Sequence, residues 1–344
     1  MPFDRIAAEQ YVREFWSTPC DDGKIYSYIK GIVDVPTEQR KLEKQGKLPG
    51  TGWKAVLLPA VEGGAVVSGK ERGCFIRTNP QGEEILASVA VPTEWAGKWD
   101  IVPFYEVAGA HDGLVDCAHY VSRVLTRGKV EVNQPGVPGL VQVLRNRQDT
   151  HTLGLEVPLA AGDRIMATGV MQFGDVIAYF HTDPKTNQRG YAHSAVYTGK
   201  DARAGEHRLS CHTVARFDGF PDGTTWNITT DADWRFTLIH FIDKDETFPN
   251  IPQPLRLQLT RGTVNEVYDF RPKGIVARGR GTAGTVRSFG ALPADHGYWF
   301  VRGFNVFVFW PRTGEVAKIG VGNVAAGQFL SMTVDDVAVQ FSVL

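Results

Sequence analysis

The chain has 344 residues, 43% of them apolar, enough to bury a sizeable core and more natural for two domains than for one. Its 37 Lys and Arg against 38 Asp and Glu leave a net charge of −1, so no basic field draws nucleic acid or an anionic membrane surface. Residues 1–16 hold acids and bases without an apolar run, which excludes a Sec signal peptide and a membrane helix there and implies a cytoplasmic product as synthesised.

Residues 3–17 predict an amphipathic helix, with Ala7, Tyr11 and Phe15 on one stripe and Ala8, Val12 and Trp16 beside it. From 52 to 108 short runs rich in Val, Ile and Phe (53–59, 64–68, 74–78 and 85–91) alternate with Gly and Pro, which predicts a β insertion. Four cysteines, Cys20, Cys74, Cys117 and Cys211, are scattered along the chain and are expected as free thiols.

The next stretch organises the rest. Ala118, Val121, Val124 and Leu125 recur at helical spacing behind Cys117, so a helix begins there with its thiol on the inward face. Asp116 is placed to cap the first turn, and Gly128 to end the last. A thiol at a helix start lies among unpaired N–H groups and the positive end of the dipole, which favours thiolate.

A Pro- and Gly-bearing loop over 133–139 precedes a second helix over 140–147, and three strands follow at 176–180, 191–199 and 207–214. Asp175 is expected to bond backbone where the first of them starts. Period-two alternation puts His193 with Ala195 and Tyr197, and Arg208, Ser210 and His212 on one face with Cys211 on the other. The Pro-rich 248–254 reads as a linker to an all-β domain over 248–344, in which Tyr298, Trp299, Phe304, Phe307 and Trp310 are expected as core rather than as a sugar platform.

A helix-borne cysteine followed by histidines on two successive strands is the order of a thiol nucleophile, its base and its orienting partner. Cys117 would attack an amide carbonyl, His193 would hold and relay the proton, and His212 would fix the tautomer of His193. This requires the cysteine helix to pack on the sheet face that carries His193. A zinc site from Cys117, His119, Cys211 and His212 is disfavoured because residues 211 and 212 point to opposite strand faces.

The segments Asp-Cys-Ala-His-Tyr-Val-Ser (116–122), Gly-Asp-Val-Ile-Ala-Tyr (174–179), Ala-His-Ser-Ala-Val-Tyr-Thr-Gly (192–199) and Leu-Ser-Cys-His-Thr-Val-Ala-Arg (209–216), with the leading Phe-Asp-Arg-Ile-Ala-Ala (3–8), resemble the signature of amidase domains in the NlpC-like, papain-fold superfamily. His119 stands where that pattern more usually carries Asn or a small residue. The resemblance covers roughly 3–230 and omits 52–108 and 248–344. It implies a papain-like α+β catalytic fold; combined with the β insertion and the C-terminal strands read above, the expected organisation is an α+β catalytic domain over 1–247 carrying that insertion, followed by an all-β domain over 248–344. It also implies a cysteine amidase or peptidase acting on peptidoglycan peptides, with Cys117 as nucleophile, His193 as base and His212 as third member. No cofactor, nucleic acid or membrane partner is called for, and a cell-wall substrate would be reached by a non-Sec route. The alternative is an inactive amidase fold whose C-terminal β domain recognises a glycan or a partner protein.

Overall fold

The computed structural model describes residues 2–16, 20–22, 24–27, 31–34, 53–62, 65–78, 84–85, 101–103, 116–182, 187–200, 206–212, 216–217, 233–243, 246, 255–261, 263–280, 296–323 and 328–343, those at 24–103 and 216–217 by backbone course alone. Mixed helices and sheets precede a C-terminal all-β region, as the composition of the two halves implies. The expected linker at 248–254 lies outside the described residues.

Helix α1 (Arg5–Phe15) starts at Asp4, whose carboxylate accepts the Ala7 N–H, and it buries Ala8, Tyr11 and Val12. An antiparallel hairpin follows, β1 (Lys24–Ser27) and β2 (Gly31–Asp34). The insertion is a four-stranded antiparallel sheet of β3 (Trp53–Glu62), β4 (Ala65–Thr78), β5 (Glu84–Ile85) and β6 (Ile101–Pro103). The runs expected at 64–68 and 74–78 are one strand of 14 residues: Glu71, Arg72 and Gly73 of the intervening run pair with Pro59, Leu58 and Leu57, and the register shifts before Val66 pairs with Val61.

The centre of the molecule is a six-stranded antiparallel sheet built from β7 (Thr150–Val157), β8 (Val176–Thr182), β9 (Arg189–Lys200), β10 (His207–Cys211), β11 (Arg216–Phe217) and β12 (Arg235–Phe241), in the order β11-β10-β9-β8-β12-β7. One face carries α1, the cysteine helix α2 (Cys117–Arg127) and α3 (Val137–Arg145). Ala8, Val12, Ala118, Val121, Val124, Leu140 and Leu144 there meet Val176, Ala178, Val196, Ile239 and Phe241 of the sheet. The other face carries α4 (Leu159–Ala167) and the C-terminal region.

That region is a nine-stranded antiparallel sheet of β13 (Leu255–Arg261), β14 (Val264–Arg271), β15 (Ile275–Arg280), β16 (Gly297–Arg302), β17 (Asn305–Trp310), β18 (Glu315–Asn323), β19 (Gln328–Val334), β20 (Val337–Ala338) and β21 (Gln340–Val343). The last two strands, separated by Val339 alone, work as one bent strand. Its first part pairs with β19 and its second with β13, so the sheet curls round on itself as a barrel. Alternation sends Trp299, Val301, Val306, Val308 and Trp310 into one cluster and Phe300, Phe307 and Phe309 into another. The expected aromatic core holds for Trp299, Phe307 and Trp310, whereas Phe304 sits at the β16–β17 turn, 81% exposed.

Phe300, Phe307, Phe309 and Val316 pack with Leu153, Ile165, Ile177, Tyr179, Ala195, Tyr197, Phe236 and Leu238, so the barrel wall and the central sheet share one hydrophobic layer. Polar contacts seal it. The Leu155 N–H donates to the Pro311 carbonyl at 2.7 Å, and Arg302 reaches Glu246 at 2.5 Å.

Two motif residues at the start of the chain fasten the opposite face. The Phe3 ring stacks on Phe241 with centroids 4.4 Å apart, and a Cβ at Gly128 or Gly174 would overlap that ring. Gly174 also has φ of +94°, so two constraints require glycine there. Arg5 bonds Asp175 at 2.9 Å, Asp243 at 2.6 Å and the carbonyls of Phe173 and Phe241 at 2.7 Å each. Asp175 accepts backbone N–H groups of Gln172 and Phe241, as expected, and in addition faces a titrating partner, His240 Nδ1, at 2.6 Å.

Candidate functional site

Cys117 is the first residue of α2, and its side chain is 2% exposed. Burial pushes its thiol pKa up, and the backbone N–H and hydroxyl of Ser194 with the N–H of Ala118 offset only part of that rise. The net shift is therefore upward, against the direction that the helix dipole alone favours. The residue of β9 that meets the sulfur is Ser194, whose Oγ is fully buried without a hydrogen-bond partner of ordinary geometry.

His193 is the neighbour of that serine, and alternation carries it to the other face of β9. It pairs with Tyr179 across β8, with ring centroids 5.3 Å apart, and Tyr179 belongs to the layer shared with the barrel. The expected company of Ala195 and Tyr197 holds. The cysteine helix, however, packs on the opposite face, that of Ala178, Ser194 and Val196, because its apolar stripe fits the smaller side chains there. A β-bulge adjoins His193: Tyr179 pairs with His193 and Phe180 with Tyr191, leaving Ala192 as the extra residue.

His212 follows β10 on the helix face, as its alternation with Cys211 predicts. Ser210 pairs with Val196, and continuing that register sets His212 opposite Ser194 rather than His193. The two histidines expected to face one another thus lie on opposite faces of the sheet. His212 Nδ1 lies 2.7 Å from Asp116 Oδ2, its Nε2 donates to the Phe15 carbonyl at 2.7 Å, and its ring stacks on Tyr120 at 3.9 Å.

Asp116 occupies the N-cap position of α2, as expected, but its side chain makes no capping bond. Fully buried, its carboxylate bridges two imidazoles, His212 through Oδ2 and His119 Nδ1 through Oδ1 at 2.9 Å. Burial works to raise its pKa, but the hydrogen bonds from His119 and His212 outweigh it and hold the group below the ordinary value. His119 is buried too, which lowers its pKa, and the bond to Asp116 overrides that so the net shift is upward. Its Nε2 lies 3.2 Å from Asp22 Oδ2.

Sequence reading missed Cys20 and Asp22. Cys20 is 2% exposed, a free thiol like Cys117 and Cys211, and burial followed by the charge of Asp116 pushes its pKa well up. The available signal was Cys20-Asp21-Asp22-Gly23, a thiol beside two carboxylates at a turn. The tetrad weighed for zinc is not gathered, since Cys211 sits in the barrel-side layer while His119 and His212 lie on the helix side.

Compared with known protein families, with curated proteins and with solved structures, the chain shows no match. Fold and site together define an α+β protein in which a buried cysteine helix lies on an antiparallel sheet whose far face is covered by a barrel. Among the described residues no helix is long and apolar enough to cross a membrane.

Proposed function

We propose that this chain is a cysteine-dependent amidase or peptidase with a papain-like, NlpC-type catalytic unit, hydrolysing an amide bond in peptidoglycan peptides. The observation that carries the reading is the seating of Cys117 at the first position of a helix, with the backbone N–H groups of Ala118 and Ser194 directed at its sulfur; His193 is the residue before Ser194, on the other face of that strand. Such N–H groups supply the positive environment in which a thiolate forms and a tetrahedral oxyanion is held. The ordered motif resemblance over 3–230 supports the same reading.

In this proposal Cys117 is the nucleophile and His193 the base. His212 acts on neither directly; it positions the start of the cysteine helix through Asp116. His193 reaches the sulfur only if the bulge beside it migrates from Ala192 to His193, which would turn the imidazole towards the helix face, the kind of re-aiming that bulges provide.

The face occupied by His193 favours a second reading, a catalytically inactive amidase fold that binds a glycan or a partner protein. Mass spectrometry of fragments released from purified peptidoglycan separates the two. The amidase reading expects defined peptide or muropeptide products from the wild type and none from Cys117→Ser or His193→Ala at equal folded concentration. Intact peptidoglycan after prolonged wild-type incubation would leave the binding reading standing alone.

A further inference from the structure

Two groups of metal-competent side chains occur among the described residues, and they differ in what already neutralises them. His240, Asp243 and Glu246 form one, but Arg5 lies 2.6 Å from Asp243 and Arg302 lies 2.5 Å from Glu246, so fixed guanidinium charges take the place a cation would fill. Cys20, Asp116 and His119 form the other, all three buried, with their ligand atoms within 4.8 Å of one another. Arg123 and Arg127, the nearby cations, are spent on Asp21, with Arg123 4.0 Å from Asp22.

We propose that Cys20, His119 and Asp116 form a binding site for a single zinc-class divalent ion that ties the segment at 20–22 to the start of the cysteine helix. This goes beyond the amidase reading and does not depend on it. The donor set of one sulfur, one imidazole nitrogen and one carboxylate oxygen suits zinc or cobalt and is too soft for magnesium or calcium. His119 Nδ1 and Asp116 Oδ1 stand 2.9 Å apart, close to the roughly 3.3 Å between two ligands on one tetrahedral zinc with bonds of about 2.0–2.1 Å. Sulfur closes the triangle by a modest contraction, and water takes the fourth position.

The surroundings match what metal sites require of the groups behind the ligands. With Nδ1 on the ion, His119 Nε2–H is held by Asp22 at 3.2 Å, a carboxylate–histidine–metal relay. Asp116 Oδ2 stays bonded to His212, which is anchored in turn on the Phe15 carbonyl. Binding exchanges the Cys20 proton for the ion, and the thiolate so formed and the Asp116 carboxylate, two like charges, become co-ligands of a dication. The site also differs from the sulfur that the amidase reading uses, because Cys117 meets Ser194 of β9 whereas Cys20 lies with Asp116 and His119.

The test is Co²⁺ titration of the metal-stripped, full-length protein, followed by electronic absorption. One equivalent should produce a thiolate-to-cobalt charge-transfer band and visible bands of tetrahedral intensity. Cys20→Ser should abolish the charge-transfer band, and His119→Gln should weaken affinity at least about tenfold. Cys117→Ser and Cys211→Ser should leave the band intact. X-ray absorption of the zinc-loaded wild type, which needs no variant to fold, should show one sulfur with nitrogen and oxygen neighbours. Failure to bind cobalt, a band that survives Cys20→Ser or vanishes in Cys117→Ser, or a zinc shell with no sulfur or with two overturns the proposal. None of these readouts involves amide hydrolysis, so the site stands or falls apart from the catalytic reading.

Discussion

His212 Nδ1 stands 2.7 Å from Asp116 Oδ2 with both side chains fully buried, so the second histidine engages the aspartate that precedes the cysteine. That pair joins β10 to the start of α2, and Phe15 at the end of α1 closes the link through its carbonyl. Removing one member of a buried, hydrogen-bonded pair leaves the other desolvated without a partner, which is more damaging than the pair is stabilising.

His212→Ala should therefore lower unfolding free energy by about 3–5 kcal/mol, read from urea denaturation at neutral pH. His212→Asn, which keeps a short donor towards Asp116 but not the reach to Phe15, should lose less. A His212→Ala protein with wild-type stability and no activity would mean instead that this ring orients the base.

The second prediction concerns Cys117. Burial holds its thiol above the ordinary value, so the free protein should carry no preformed thiolate–imidazolium pair. Its alkylation by iodoacetamide, followed by peptide mapping, should be slow at pH 6 and climb continuously through pH 9. A rate that is already on a plateau at pH 6 would show an ion pair and a sulfur in contact with a charged imidazole.

Much of this was legible in the sequence, and the parts that were not share a physical cause. Helix α1 was legible because one of its faces is buried and the other is not, the condition under which periodicity reads out, whereas α2, buried over most of its surface, was legible from the spacing of Ala118, Val121, Val124 and Leu125 alone. The strands carrying His193 and His212 were placed within a few residues, and Cys211 was separated from its neighbour correctly, because alternation is local. What alternation does not say is which face of a sheet a helix chooses when both faces are buried. Here α2 covers Ser194, while His193 lies partly buried on the barrel side, beside the Tyr179 ring. For the same reason β7, α4 and β12 went unread: Thr150–Val157 mixes Thr and His into a strand between two layers, and Leu159–Ala167 starts after Pro158 without a side-chain cap. Cys20 meets Asp116 and His119 only through tertiary packing, and no spacing rule connects residues so far apart.

The third prediction follows from the buried cluster of His240, on β12, with Asp175 and Glu246. Burial would lower the His240 pKa, but Asp175 at 2.6 Å and Glu246 at 2.8 Å raise it to about 9, while Arg5 and His240 hold buried Asp175 below the ordinary carboxylate value. A histidine that binds its proton more tightly when folded gives stability that is complete below about pH 6.5 and is lost as pH rises through about 9. The Asp175 contribution has the opposite sense, present above about pH 4 and lost on acidification. Stability should thus fall by on the order of 3 kcal/mol between pH 6.5 and pH 10. Denaturant midpoints across that range check it, and His240→Gln should flatten the slope as well as lower the starting value. An equal slope in that variant would place the titrating group elsewhere.

The last prediction concerns the boundary near residue 247, where a cell-wall targeting module would be expected to detach cleanly. Phe300, Phe307, Phe309 and Val316 of the barrel wall are buried against Ile177, Tyr179, Ala195 and Leu238, so cutting there uncovers an apolar layer on both products. Exposing patches of that size drives association. Residues 1–247 alone should be insoluble or oligomeric, and co-expression with 255–344 should restore a soluble, co-purifying pair. In the intact chain Phe300→Ala should cost about 3–5 kcal/mol, the range for a large aromatic deleted from a packed core, whereas Phe304→Ala at the exposed turn should change stability by less than about 0.5 kcal/mol. Size-exclusion chromatography of the truncated protein decides the matter: a monodisperse monomer of 1–247 with a cooperative melt would show that the central sheet needs no barrel behind it.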